Sequence, residues 1–145
     1  MTGRQRARQW VNIVNVSTAL GLLVGLVGRV RFARGPDGLI CGHGYRLPIP
    51  PALAFTVGNV VLLRIDEEAL VRRPMLLAHE ARHATQYAWC LGPVMLVLYA
   101  LAAGWSFVLT GDPASRNVFE RDAGLRAGGY MEKPLRAIFR RFSTT

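Results

Sequence analysis

His79 and His83 stand four residues apart, and Glu80 directly follows the first. They lie in Leu76-Leu77-Ala78-His79-Glu80-Ala81-Arg82-His83-Ala84-Thr85-Gln86. On a helix, residues at this spacing stack on one face with Cβ atoms about 5–6 Å apart. Two imidazoles so placed can reach one ion at a Zn–N distance of about 2.0–2.1 Å. A glutamate in the next position can lie beside the metal's water without binding the ion. Zinc brings the pKa of such a water to about 7. Glu80 then serves as catalytic base, taking the water's proton and later passing one to the leaving amine. The chain has three histidines, and two of them frame this glutamate. A solvated polar face with an ion pair is the plainer alternative for the same residues.

The segment resembles the active-site helix of zincin metallopeptidases. More narrowly, the chain is similar to small bacterial zincin-like proteins. These carry H-E-x-x-H-x-x-Q and a downstream N-x-F-E-x-x-A. The corresponding stretches here are His79 to Gln86 and Asn117-Val118-Phe119-Glu120-Arg121-Asp122-Ala123. The likeness runs from about residue 39 to residue 130. Stricter zincin patterns prefer uncharged residues between the histidines, and Arg82 departs from that; it can point away from the metal face. The resemblance implies a peptide or protein substrate and one zinc ion. It also implies that a strand ahead of the metal helix, here Phe55 to Leu63, can dock an extended substrate by backbone pairing.

A catalytic zinc takes three protein ligands and keeps one position open. By the resemblance, Glu120 on a second helix is the third. Asn117 and Glu120 can also form a helix-capping pair, which would account for that glutamate without a metal. His43, between two glycines, is the rival ligand, and Asp122 and Asp112 are further candidates. Asp122 can instead orient a ligating imidazole, and Gln86, one turn after His83, can hydrogen-bond near the site. Tyr87 and Tyr130 are possible donors to an oxyanion, with nothing in the sequence to select either. Cys90 falls on the same helix face as His83, but reads as a small buried apolar residue.

The elements that must position these groups suit one domain of 145 residues, expected to be α+β. The expectation is a zincin-like unit: a short antiparallel sheet packed on the motif helix, with further helices around it. Residues 1–28 read as one amphipathic N-terminal helix, packed on the domain or touching a membrane. Asn12, Asn15 and Thr18 form its polar stripe, and Gly21, Gly25 and Gly28 allow close packing. Residues 30–64 read as a β-meander. It has a turn at Gly35-Pro36-Asp37-Gly38, a second at Gly42-His43-Gly44, a strand from Tyr45 to Leu47, and a strand from Phe55 to Leu63 bulged or turned at Gly58. Residues 66–72 read as a short helix, and residues 74–90 as the metal helix, from Pro74 to the stop at Gly92. Residues 94–109 form an apolar helix. It is short of the roughly 20 residues that span a bilayer comfortably, with a true span as the alternative. Residues 117–128 carry the third ligand, and residues 133–145 form a basic tail.

Lys and Arg number 18 against 9 Asp and Glu, a net charge of +9, and Lys133 is the one lysine. This charge attracts anionic surfaces, lipid rather than nucleic acid, since no nucleic-acid motif accompanies it. Two distant cysteines, Cys41 and Cys90, fit a reduced cytoplasmic setting, and the positive charge leaves membrane association open beside it. Oligomeric state is not legible. The function expected is zinc-dependent hydrolysis, with two alternatives: a non-catalytic zinc-binding domain or a basic membrane-surface module.

Overall fold

The computed structural model describes residues 1–140. Its described residues form seven α-helices, one 3₁₀ turn and a four-stranded sheet, an α+β architecture. The chain opens with α1 (Gly3–Val14) and α2 (Ser17–Val27), not the single N-terminal helix expected. The break comes at Asn15 and Val16, where Val16 is left-handed at φ 62° and the axis bends by 73°. Asn15 causes it, since its side chain accepts bonds from both the N–H and the hydroxyl of Ser17 and so competes with the helix ladder.

β1 (Arg31–Arg34) and β2 (Ile40–His43) pair as an antiparallel hairpin across the expected turn at residues 35–38. Two expectations for the sheet fail. His43 is not in a turn but ends β2, and residues 45–47 form no strand. Of the bulge or turn expected at Gly58, the structure has the turn: Phe55 to Leu63 holds two strands, β3 (Ala54–Val57) and β4 (Val60–Leu63), joined by a tight turn at Gly58-Asn59. Gly58 is left-handed at φ 62°, and its Cα lies so close to Ser17 and Thr18 that an added Cβ would stand 2.5 Å from their backbone. The strand order is β1-β2-β4-β3, with β2 and β4 parallel, so the sheet is mixed rather than antiparallel.

β4 is central and wholly buried, as its Val60-Val61-Leu62-Leu63 run requires. Its side chains alternate between two cores. Val61 and Leu63 pack with Cys41, Ala54, Leu76 and Ala84 against α4 (Leu76–Trp89). Val60 and Leu62 pack with Tyr45 and α2 on the other face. Burying each such side chain contributes about 1.5–3 kcal/mol. The predicted polar stripe faces inward here. Asn12 donates to Asn59 Oδ1 and Ala84 O, and Asn59 donates to Thr18 Oγ1 and Gln9 O, tying α1 and α2 to the sheet and to α4.

α3 (Glu67–Val71) is capped by Asp66, which accepts from the Ala69 N–H. α4 starts two residues later than expected and ends where Gly92 donates back to Tyr87 O. Gly92 is left-handed, and it abuts Asn15. α5 (Val94–Thr110) follows, then α6 (Val118–Ala123), shorter than the expected helix to residue 128 because its backbone leaves helical geometry at Gly124. α7 (Ala137–Arg140) lies in the expected tail; the part of the tail beyond residue 140 is outside the described residues.

Candidate metal centre

Three elements build the site. α4 supplies His79, Glu80 and His83, all buried. α6 supplies Glu120, and β3 supplies Thr56. Asn117 caps α6 by accepting from the Phe119 N–H, so the expected cap is present. Glu120 is not consumed by it. Its carboxylate points inward instead, with Oε2 3.3 Å from His79 Nε2 and Oε1 3.5 Å from His83 Nε2. The two Nε2 atoms are 3.0 Å apart. One ligand atom from each of His79, His83 and Glu120 lies within 4.8 Å of the others, a group that could hold a metal ion.

The tautomers follow from the partners. His79 Nδ1 lies 3.2 Å from the carbonyl oxygens of Ala123 and Gly124, which only accept, so Nδ1 carries the proton. His83 Nδ1 lies 2.7 Å from Gln86 Oε1. The Gln86 amide is oriented by donation to Phe119 O and to Asp122 Oδ2, leaving its oxygen toward His83. His83 Nδ1 is therefore also the donor. Both Nε2 lone pairs then face each other and the Glu120 carboxylate. Three acceptor atoms converge with no donor among them, and Glu120 Oε2 has no hydrogen-bond partner. Such a cluster stabilises a cation and is costly without one.

Burial would raise the Glu120 carboxyl, but the adjoining His79 and His83 imidazoles and the hydrogen bond from Tyr99 hold it well below the usual range. The Tyr99 hydroxyl, from α5, donates to Glu120 Oε1 at 2.5 Å. Burial would lower the His83 imidazole, yet Glu120 and Glu80 push it up. Glu80 is outside the ligand group, and burial pushes its carboxyl up. Its Oε2 accepts from the Thr56 hydroxyl at 2.6 Å.

Asp122 holds Gln86 and also receives a two-pronged bond from Arg82, at 2.8 Å on each oxygen. Arg82 stacks over Trp89 and points away from the ligand atoms. His43 sits at the end of β2 opposite Arg31 and Leu63 and is not in the ligand group. Asp112 folds the loop after α5 and Cys90 is a free thiol; neither joins the group. Tyr130 lies near His79, with ring centroids 6.5 Å apart, whereas Tyr87 packs in the core with Met95. Sequence reasoning did not find Thr56, Tyr99 or Gly128. An added Cβ at Gly128 would stand 2.5 Å from His79 Cε1, so this glycine lets the segment after α6 close over the imidazole.

The centre is enclosed. His79, Glu80 and Glu120 are 2–3 % exposed and His83 7 %. A surface depression of about 350 Å³ lies on the segment after α6, lined by Arg121, Gly124, Leu125, Arg126, Ala127 and Glu132, none of them a ligand. No protein-family model matches the chain, and neither the curated proteins nor the solved structures yield a match.

Proposed function

We propose that the chain is a zinc-dependent hydrolase of the zincin type that cleaves peptide bonds. The observation that carries this reading is the convergence of three acceptor atoms from His79, His83 and Glu120, with the Glu80 carboxylate nearby but outside the set. Two imidazoles and one carboxylate suit zinc in a three-ligand site. When bound, the ion supplies water activation and polarisation of a substrate carbonyl.

The chain's own groups do the rest. Glu80 is the proton acceptor, and burial, which pushes its carboxyl up, makes it a stronger base. Thr56 keeps its carboxylate in one place by donating to Oε2. Gln86 and the Ala123 and Gly124 carbonyls keep Nδ1 of each imidazole protonated and Nε2 free to ligate. β3 is an outer strand of the sheet and carries Thr56, so a peptide paired along it would lie beside Glu80. Because the centre is enclosed, substrate reaches it only when the segment over His79 shifts.

That enclosure favours a second reading, a metal domain without turnover. Glu80→Gln decides between them. Under the hydrolase reading, the variant keeps its zinc and loses cleavage of a casein substrate that the wild type degrades. Equal cleavage by both removes Glu80 as base, and a zinc-loaded wild type that cleaves nothing favours the second reading.

A further inference from the structure

A helix on the surface of a water-soluble domain turns its apolar side inward. α1 does the reverse. Its inward residues are polar: Arg8 donates to Asp37 O and Ala81 O, and Asn12 to Asn59 and Ala84 O. Its exposed residues include Trp10, Val11, Ile13 and Val14. α2 repeats the pattern, burying Ser17, Thr18, Gly21 and Gly25 while exposing Leu23, Leu26 and Val27. α5 buries Ser106 and Thr110 along with Met95 near its start, and exposes Val97, Leu101, Trp105 and Phe107. All three tryptophans, Trp10, Trp89 and Trp105, are more than 60 % exposed.

The bend between α1 and α2 meets the 117° bend between α4 and α5. Asn15 Nδ2 donates to Tyr87 O, and Gly92 abuts Asn15. Exposed Val14, Val16, Trp89 and Leu91 gather around that junction. Soluble monomers rarely leave so much apolar surface uncovered.

We infer that α1, α2 and α5 dock this chain on an anionic lipid leaflet. Charge selects lipid over an apolar protein partner. The chain carries +9, and Arg4, Arg6, Arg29, Arg31 and Arg34 are exposed on or next to α1 and α2. Exposed Arg136 lies over the Phe107 ring of α5, 5.5 Å from its centroid, pairing a cation with an apolar group as a headgroup boundary favours. Tryptophan is suited to the same boundary, with an apolar body and one polar N–H. Anionic leaflets attract such arginines. No single helix among the described residues is long and apolar enough to cross a membrane, although the bent pairs α1–α2 and α4–α5 reach that length and composition together. The inference stands whether or not the centre holds metal.

The test is density-gradient flotation of the full chain, transferred from mild detergent to vesicles of equal parts phosphatidylcholine and phosphatidylglycerol, or to phosphatidylcholine alone. The chain is expected to float with the mixed vesicles, with tryptophan emission shifted to the blue, and to float less with phosphatidylcholine alone. The Leu101→Ser/Trp105→Ser pair, at exposed positions, is expected to keep its circular dichroism spectrum and bind roughly tenfold more weakly or worse. A wild type left in the lipid-free fraction overturns the inference, and a discrete dimer there assigns the face to a second copy. Undiminished flotation of the pair shows that charge alone binds and also overturns it.

Discussion

Gln86 Oε1 accepts the His83 Nδ1 proton at 2.7 Å, and the same amide donates to Asp122 Oδ2 at 2.7 Å. A glutamine one helical turn beyond the second histidine therefore fixes the tautomer of that histidine. Asp122 in turn fixes the glutamine, and Arg82 fixes Asp122.

Gln86→Leu removes this acceptor and leaves His83 free to place its proton on Nε2, where a ligand lone pair is needed. Metal affinity should fall roughly 10–100-fold, the usual cost of losing such a partner. Competition with a chromogenic chelator measures it. Affinity equal to wild type would show that Gln86 does not set the tautomer.

Gly128→Ala tests the segment that covers His79. The new Cβ would stand 2.5 Å from His79 Cε1 and 2.7 Å from Nε2, so the ring or the segment must move. The backbone there needs no left-handed conformation, so the effect is contact alone. Overpacking of this kind costs about 1–3 kcal/mol. Thermal unfolding of the metal-free chain should show that loss, and metal binding should weaken with it. Wild-type affinity would place the segment further from His79.

Asp112 organises the loop between α5 and α6. Its Oδ1 accepts from Ala114 N, Ser115 N and Ser115 Oγ at 2.8–3.0 Å. Burial would raise its carboxyl, but the Ser115 and Ala114 donors and nearby Lys133 hold it below its ordinary value. A carboxyl depressed on folding stabilises fully above its unfolded pKa of about 3.9 and loses that contribution as pH falls through the folded value. Asp112→Ala should cost about 1 kcal/mol in urea unfolding at neutral pH. The gap from wild type should close in acid below about pH 3.9. A gap that persists there would assign the effect to something other than the ionised carboxyl.

Local spacing made the His79–Glu80–His83 group legible, because helical geometry alone sets residues four apart on one face. Glu120 rested on a motif likeness, and its inward side chain depends on α6 packing against α4, which no local pattern encodes. Thr56 and Tyr99 escaped for the same reason. Thr56 meets Glu80 across 24 residues and Tyr99 meets Glu120 across 21, and each is an ordinary residue in its own element. At Gly58 the sequence left a bulge and a turn both open, and the structure takes the turn, so one apolar run becomes two strands. Once that turn forms, β4 lies between β2 and β3, and its pairing with β2 becomes parallel. His43 looked available only while residues 42–44 read as a turn; in β2 its neighbours are Arg31 and Leu63.

The central claim is that His79 and His83 share one ion. Elemental analysis of the purified chain beside its His79→Ala and His83→Ala variants tests it most directly. The account predicts one equivalent of zinc per wild-type chain and near-complete loss in each variant. A wild type without bound metal, or variants that retain it in full, would contradict it.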